Sequence, residues 1–173
     1  RDLHSFPTRR SSDLWQTTEE QVTLYHKMVD WGADIIFGGH PHVTQPSETL
    51  EKDGQKKLII YSMGNFISNQ RIETMEGVEN AQWTERGVLM DLTLEKTLKG
   101  TRIKSAQAHP TWVSRVEKGG FSAEGYPLYS YQTLVLEDFI EGGKYRDRLD
   151  EATKERVDIA YQEMKEHVAL NWE

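Results

Sequence analysis

One short stretch narrows the folds open to this chain more than any other. Ile35-Ile36-Phe37 runs apolar without a break, stops at Gly38-Gly39, and gives way to His40-Pro41-His42. An uninterrupted apolar run of this length suits a strand covered on both faces. It follows a stretch in which Val22, Tyr25, Met28 and Val29 recur at helical spacing. Thr18 and Gln21 open that stretch at the separation of a capping box, and Gly32 closes it. Helix, glycine connection and buried strand in this order predict an α/β unit. They set GGHPHV at a strand's carboxyl end, where open α/β sheets bind ligands.

Beyond Pro46, the spans Ser47–Lys52 and Lys57–Tyr61 read as two strands joined at Asp53-Gly54. A long segment from Ser62 to about Glu85, opening Ser-Met-Gly-Asn-Phe, shows no regular pattern, which suggests function or mobility. Val88, Met90, Leu92 and Leu94 alternate within a strand over Gly87–Glu95, and Arg102–Val116 continues in extended style after a Lys99-Gly100 turn. Gly119, Gly120, Gly125 and Pro127 mark a further loop, Leu134–Leu136 a short strand. Leu149, Ala152, Val157, Ala160, Met164 and Val168 form the stripe of a final helix. The whole predicts a layered α/β chain with antiparallel strands in its second half.

The opening RDLHSFPTRRSSDL fits neither period and resembles the translation of a sequencing-adapter remnant. The sequence therefore divides into residues 1–14, expected to be a non-native tail, residues 15–138, and a helical segment over 139–173. Composition excludes several classes. The 173 residues carry a formal charge of -7 and no cysteine, which removes disulfides and thiolate metal sites. The acidic balance argues against nucleic acid as a partner. Apolar runs are far short of the roughly 20 residues that cross a bilayer. No Walker-type loop or Gly-x-Ser-x-Gly elbow occurs, so P-loop hydrolysis and serine hydrolase chemistry have no support.

His40 and His42 flank a proline that fixes its own φ and biases His40 away from helix, so both imidazoles stand on a stiff, extended turn. Gly38 and Gly39 remove side-chain bulk where an ion or a phosphate-like group would approach the backbone. Imidazole nitrogens suit zinc, iron or manganese, and alternating positions can serve two ions or two faces of one. The spacing does not choose between these, and it also occurs by chance in ordinary β-rich interaction domains.

The stretches GADIIFGGHPHVTQPSE, LIIYSMGNFISNQ and ERGVLMDLTLE resemble the C-terminal half of the CapA-type poly-γ-glutamate capsule synthesis proteins, whose domain is related to the calcineurin-like metallophosphatases. The likeness covers about Trp15 to Val116. It implies the C-terminal half of a four-layer α/β/β/α sandwich with a two-metal-type site on loops at its edge. His40 and His42 would then be the last metal ligands, to manganese, iron or zinc. Gly39 and Asn65 would serve as substrate-binding or supporting residues, Asn65 by meeting a bound anion or by orienting His42. The expected partners are an anionic polymer or its precursors and capsule-synthesis membrane proteins. The expected location is outside the cytoplasmic membrane, tethered through another part of the protein.

Two-metal sites also need carboxylates, which offset the repulsion between ions. Their motifs are not found here, and the place of a family His-Trp-Gly segment is taken by SFPTRRSSDL, so the chain by itself is expected to be inactive. The resemblance leaves open a non-catalytic binding or assembly subunit with the same fold. His4 is not promoted to a ligand. Glu48, Glu51 and Asp53 are expected to be solvated, His109 to face solvent from a strand, His26 and His167 to be surface or boundary residues on helix patterns. Trp31, Trp83 and Trp112 are expected to pack, and the charges of the last helix to form a solvated face.

Overall fold

The computed structural model describes residues 15–98, 100–168 and 171–172; the opening segment 1–14, with His4, and Lys99 of the expected turn lie outside them. Helix α1 (Glu19–Asp30) begins as its capping box requires. Thr18 Oγ1 accepts from the Gln21 amide at 2.9 Å, and Gln21 Oε1 accepts from the Thr18 amide at 3.0 Å. Its apolar stripe, Val22, Tyr25, Met28 and Val29, packs on Ile36, Ile59 and Tyr61. Gly32, at φ 110°, then turns the chain into β1 (Ile35–Phe37).

β1 pairs parallel with β3 (Gln55–Ile60), and β2 (Ser47–Lys52) pairs antiparallel with the other edge of β3, giving the order β1-β3-β2. Asp53 and Gly54 both adopt positive φ, 53° and 70°, the twist-matched geometry of a two-residue hairpin. Leu58, Ile59 and Ile60 are all buried because β3 is central and covered on both faces. Ile59 turns toward α1, while Leu58 and Ile60 meet Ile103 and Ala106 of a second sheet.

That second sheet consists of β4 (Arg86–Thr97), β5 (Gly100–Phe121) and β6 (Pro127–Val135), with β7 (Asn171–Trp172) pairing to β5 at Ala106 and Gln107. Val88, Met90 and Leu92 share one face of β4, as their alternation predicts; Leu94, which follows a register shift after Thr93, is exposed. Helix α2 (Glu151–His167) is capped by Asp150, whose carboxylate accepts from the Thr153 amide at 2.8 Å. Its Val157 and Ala160 pack on Trp112, Leu134, Leu136 and Phe139. Its Met164, with Val168, packs on Val43, Trp83 and Val88. Met90 borders both this cluster and the one around Leu58, so α2 lies beside the first sheet on the same face of the second. The described elements are thus mixed α/β, two small sheets and two helices.

Three stretches depart from the sequence reading. β5 runs on through Gly119 and Gly120, expected as loop; at φ 73° and 83° they absorb a register slip between Glu117 and Phe121, and the turn falls later, where the Ser122 amide donates to the Tyr126 carbonyl. β6 is a nine-residue strand ending at Val135, and Leu136 opens a 3₁₀ turn instead of closing the strand. The long segment after Ser62 is neither patternless nor loose. It contains 3₁₀ turns at Ile72–Thr74 and Ala81–Glu85, held by buried charge.

Candidate functional site

The histidine turn leaves the carboxyl end of β1 and runs beside the segment that leaves β3. The Gly38 amide donates to the Ile60 carbonyl at 2.7 Å, the Met63 amide to the Gly38 carbonyl at 3.1 Å, and the Gln45 amide to the Ser62 carbonyl at 3.0 Å. Clamped on both sides, His40 and His42 adopt φ of 99° and 60°. Side chains other than glycine rarely take this region, and backbone strain of this kind costs on the order of 1–3 kcal/mol per residue. Both imidazoles are exposed, while Val43, Thr44 and Gln45 immediately after them are buried.

The two glycines before the pair have different surroundings. A Cβ on Gly38 would lie 2.1 Å from the Tyr61 carbonyl oxygen and 2.6 Å from the Tyr25 hydroxyl, so this position is bare for packing between strands. A Cβ on Gly39 would meet nothing within 4 Å. The open space assigned from sequence to both belongs to Gly39 alone.

Asn65 comes to His42 from the neighbouring loop. Its Oδ1 lies 2.9 Å from His42 Nδ1, and its Nδ2 donates to the Thr84 carbonyl at 2.8 Å and to Gln70 Oε1 at 3.2 Å. The loop is pressed against β4 through Gly64, at φ 69°, and Gly87. A Cβ on the first would sit 2.5 Å from the Arg86 carbonyl oxygen, and one on the second 2.4 Å from that of Asn65. The Asn65 amide donates to Arg86 O at 2.9 Å across this contact.

Support for the site reaches into residues that sequence reading passed over. Glu85, almost fully buried, accepts from Trp112 Nε1 at 2.9 Å, from the Ile72 amide at 2.9 Å and from Arg156 Nη2 at 2.5 Å. Arg156, expected on a solvated face, therefore ties α2 to the loop. It also reaches Glu73, which in turn accepts from the buried Arg71 at 2.6 Å. Burial raises the Glu73 carboxyl, but the bonds from Arg71, its own backbone and Arg156 outweigh that and hold it down at about 2. His167 Nε2 donates to the Thr44 carbonyl at 2.9 Å, and its ring lies 5.2 Å from that of Trp83. No sequence period marks these groups; each is a polar residue whose partner is distant in the chain.

Other expectations divide. Glu51 and Asp53 are exposed. Glu48 is not simply solvated: it accepts from Tyr61 Oη at 2.7 Å and pairs with His26 Nε2 at 2.9 Å, which locks β2 to α1. His109 is partly buried, its Nδ1 3.4 Å from Glu137 Oε1, because the chain after β6 folds back over that part of the sheet. Trp83 and Trp112 are buried, whereas Trp31 is 75% exposed.

Among the described residues no group of three or more His, Asp or Glu side chains stands close enough to hold an ion. His40 and His42 carry imidazole nitrogens, a donor type that suits zinc, iron or manganese. An exposed, strained imidazole pair thus stands at a strand's carboxyl end of a mixed α/β chain, braced by a second loop. Residues 11–70 match the family model described as bacterial capsule synthesis protein PGA_cap. Over this segment the chain is similar to the CapA-type capsule synthesis proteins. It is 52% identical over 50 residues to the capsule biosynthesis protein CapA of Bacillus anthracis, and 44% identical over 52 residues to the PGA biosynthesis protein CapA of Bacillus subtilis strain 168. These matches take in 29% and 30% of this chain but only 11% and 13% of the two relatives. No solved structure matches the chain.

Proposed function

We propose that the chain is part of a CapA-like protein acting in the synthesis or export of a poly-γ-glutamate type capsule polymer, and that His40 and His42 are two ligands of a divalent metal in its site. The observation that carries this reading is the pair of imidazoles held on left-handed backbone at the end of β1, inside the segment matched to the capsule synthesis family. Strain of this kind persists where the surrounding structure over-determines it, as at ligand clamps. Bound there, manganese, iron or zinc would supply Lewis acidity toward an ester, amide or phosphoryl group. The chain's own part is to hold the turn: β3 and the segment Met63–Asn65 hold it from one side, and Thr44, anchored by His167, from the other.

The same proposal takes the two sheets as the C-terminal half of a four-layer α/β/β/α metallophosphatase-like sandwich, with the remaining ligands supplied from elsewhere in the protein. It places the protein outside the cytoplasmic membrane and membrane-associated, with an anionic polymer or its precursors as substrate and capsule-synthesis membrane proteins as partners. Metal-dependent turnover by the whole protein separates an enzyme from an assembly subunit of the same fold.

Calorimetric titration of the 173-residue chain with Mn²⁺ and Zn²⁺ tests the ligand assignment. An incomplete set predicts weak binding, with Kd of about a micromolar or above. Replacing His40 and His42 together by Ala abolishes the binding and the accompanying rise in unfolding midpoint. Binding that survives the double replacement refutes the assignment.

A further inference from the structure

We infer that Asn65 is a positioning residue whose side-chain amide holds His42 as the Nδ1–H tautomer and leaves Nε2 as the ring's free lone pair. The Thr84 carbonyl oxygen carries no proton and lies 2.8 Å from one end of the Asn65 amide, so that end is the NH2. Gln70 Oε1, 3.2 Å from the same nitrogen, takes its second proton. The other end is therefore the amide oxygen, which only accepts, and it stands 2.9 Å from His42 Nδ1. A favourable contact there requires a proton on Nδ1. A neutral imidazole has one proton to place, so Nε2 is left basic.

Reversing the Asn65 amide would set its oxygen against the Thr84 carbonyl at a site that is buried, with neither group satisfied. Backbone movement offers no escape, because the Asn65 amide is bonded to Arg86 and the loop is wedged between Gly64 and Gly87. Thr84 belongs to the 3₁₀ turn Ala81–Glu85, whose Trp83 packs against α2 and whose Glu85 is bonded to Arg156. A helix remote in sequence thereby fixes the protonation geometry of an imidazole at the edge of the first sheet. The use of the lone pair rests on the metal reading above, since a ligating histidine commonly donates its other N–H to such a partner. The tautomer itself does not.

The test is ¹⁵N NMR of the full chain, labelled at histidine, at a pH where the rings are neutral. His42 should show a pyrrole-type nitrogen at Nδ1 and a pyridine-type nitrogen at Nε2. N65A should return His42 toward the Nε2–H form that predominates in free histidine side chains. An Nε2–H ring in the unsubstituted chain overturns the inference without any variant having to fold, and so does an N65A spectrum unchanged at His42. Adding Zn²⁺ to the same sample addresses the metal reading separately: an Nδ1–H ring whose Nε2 signal ignores the ion refutes the ligand assignment and leaves the tautomer lock standing.

Discussion

At the scale of single residues, neighbouring glycines make a controlled comparison. A Cβ on Gly38 would stand 2.1 Å from a backbone oxygen, and one on Gly39 in open space. A backbone carbonyl cannot step aside as a flexible side chain can, so G38A must displace the turn after β1 from Tyr61. The expected cost is about 3 kcal/mol, at the upper end of overpacking penalties. G39A lacks both the clash and a positive φ, and is expected to cost less than about 1 kcal/mol. Urea unfolding of the two variants measures the difference directly; equal midpoints would contradict the division of labour between them.

At the scale of elements, the segment after Ser62 is held by charge where strands and helices are held by apolar faces. Glu73 is the exposed end of that arrangement, with its carboxyl held at about 2 against an ordinary value of 4.5. A depressed folded-state value contributes stability that is complete above the unfolded value and disappears as pH falls through the folded one. Stability drawn from Glu73 should therefore fade from about pH 4.5 toward pH 2, and thermal unfolding of E73Q should show a shallower fall over that window than the parent chain. Parallel curves would mean that Arg71 and Arg156 are satisfied without it. This segment also marks where sequence reading stopped. α1, the Asp53-Gly54 hairpin and the alternation of β4 were legible because capping, turn chemistry and period are local properties. Asn65 was expected either to meet a bound anion or to orient His42, and its side-chain oxygen lies 2.9 Å from His42 Nδ1. Glu85 with Arg156, and Glu48 with His26, were not legible: each pairing is made between distant elements, and a charged residue in sequence looks solvated until its partner is known. Gly119 and Gly120 misled for the opposite reason, since a bulge inside a strand uses the same residues as a loop.

At the scale of the whole molecule, α2 binds the two halves of the architecture. Met164 is completely buried, packs with Val43 and Trp83, and receives the Thr44 hydroxyl at 3.6 Å from its sulfur. M164A opens a cavity between the helix and the histidine turn, with an expected loss of 2–5 kcal/mol, typical of buried Met to Ala changes. The position predicts a second effect: amide hydrogen exchange should quicken at Val43 to Gln45 more than at Leu58 to Ile60, which β1 and β2 still cover. Uniform acceleration would show that the helix supports the entire fold evenly instead of bracing the turn.

The three glycines at 38, 64 and 87 have an evolutionary consequence. Each is a point where one backbone rests on another with no side chain between, so none of the three segments can change by itself without a matching shift in its neighbour. Insertions and deletions should accumulate at the far tip of the β5–β6 hairpin, where Ser122–Tyr126 turns in solvent, and be purged from the strip that joins Gly38 to Gly87. Over long divergence the hairpin would then vary in length while the strip kept its register, a frozen seam in an otherwise adjustable protein.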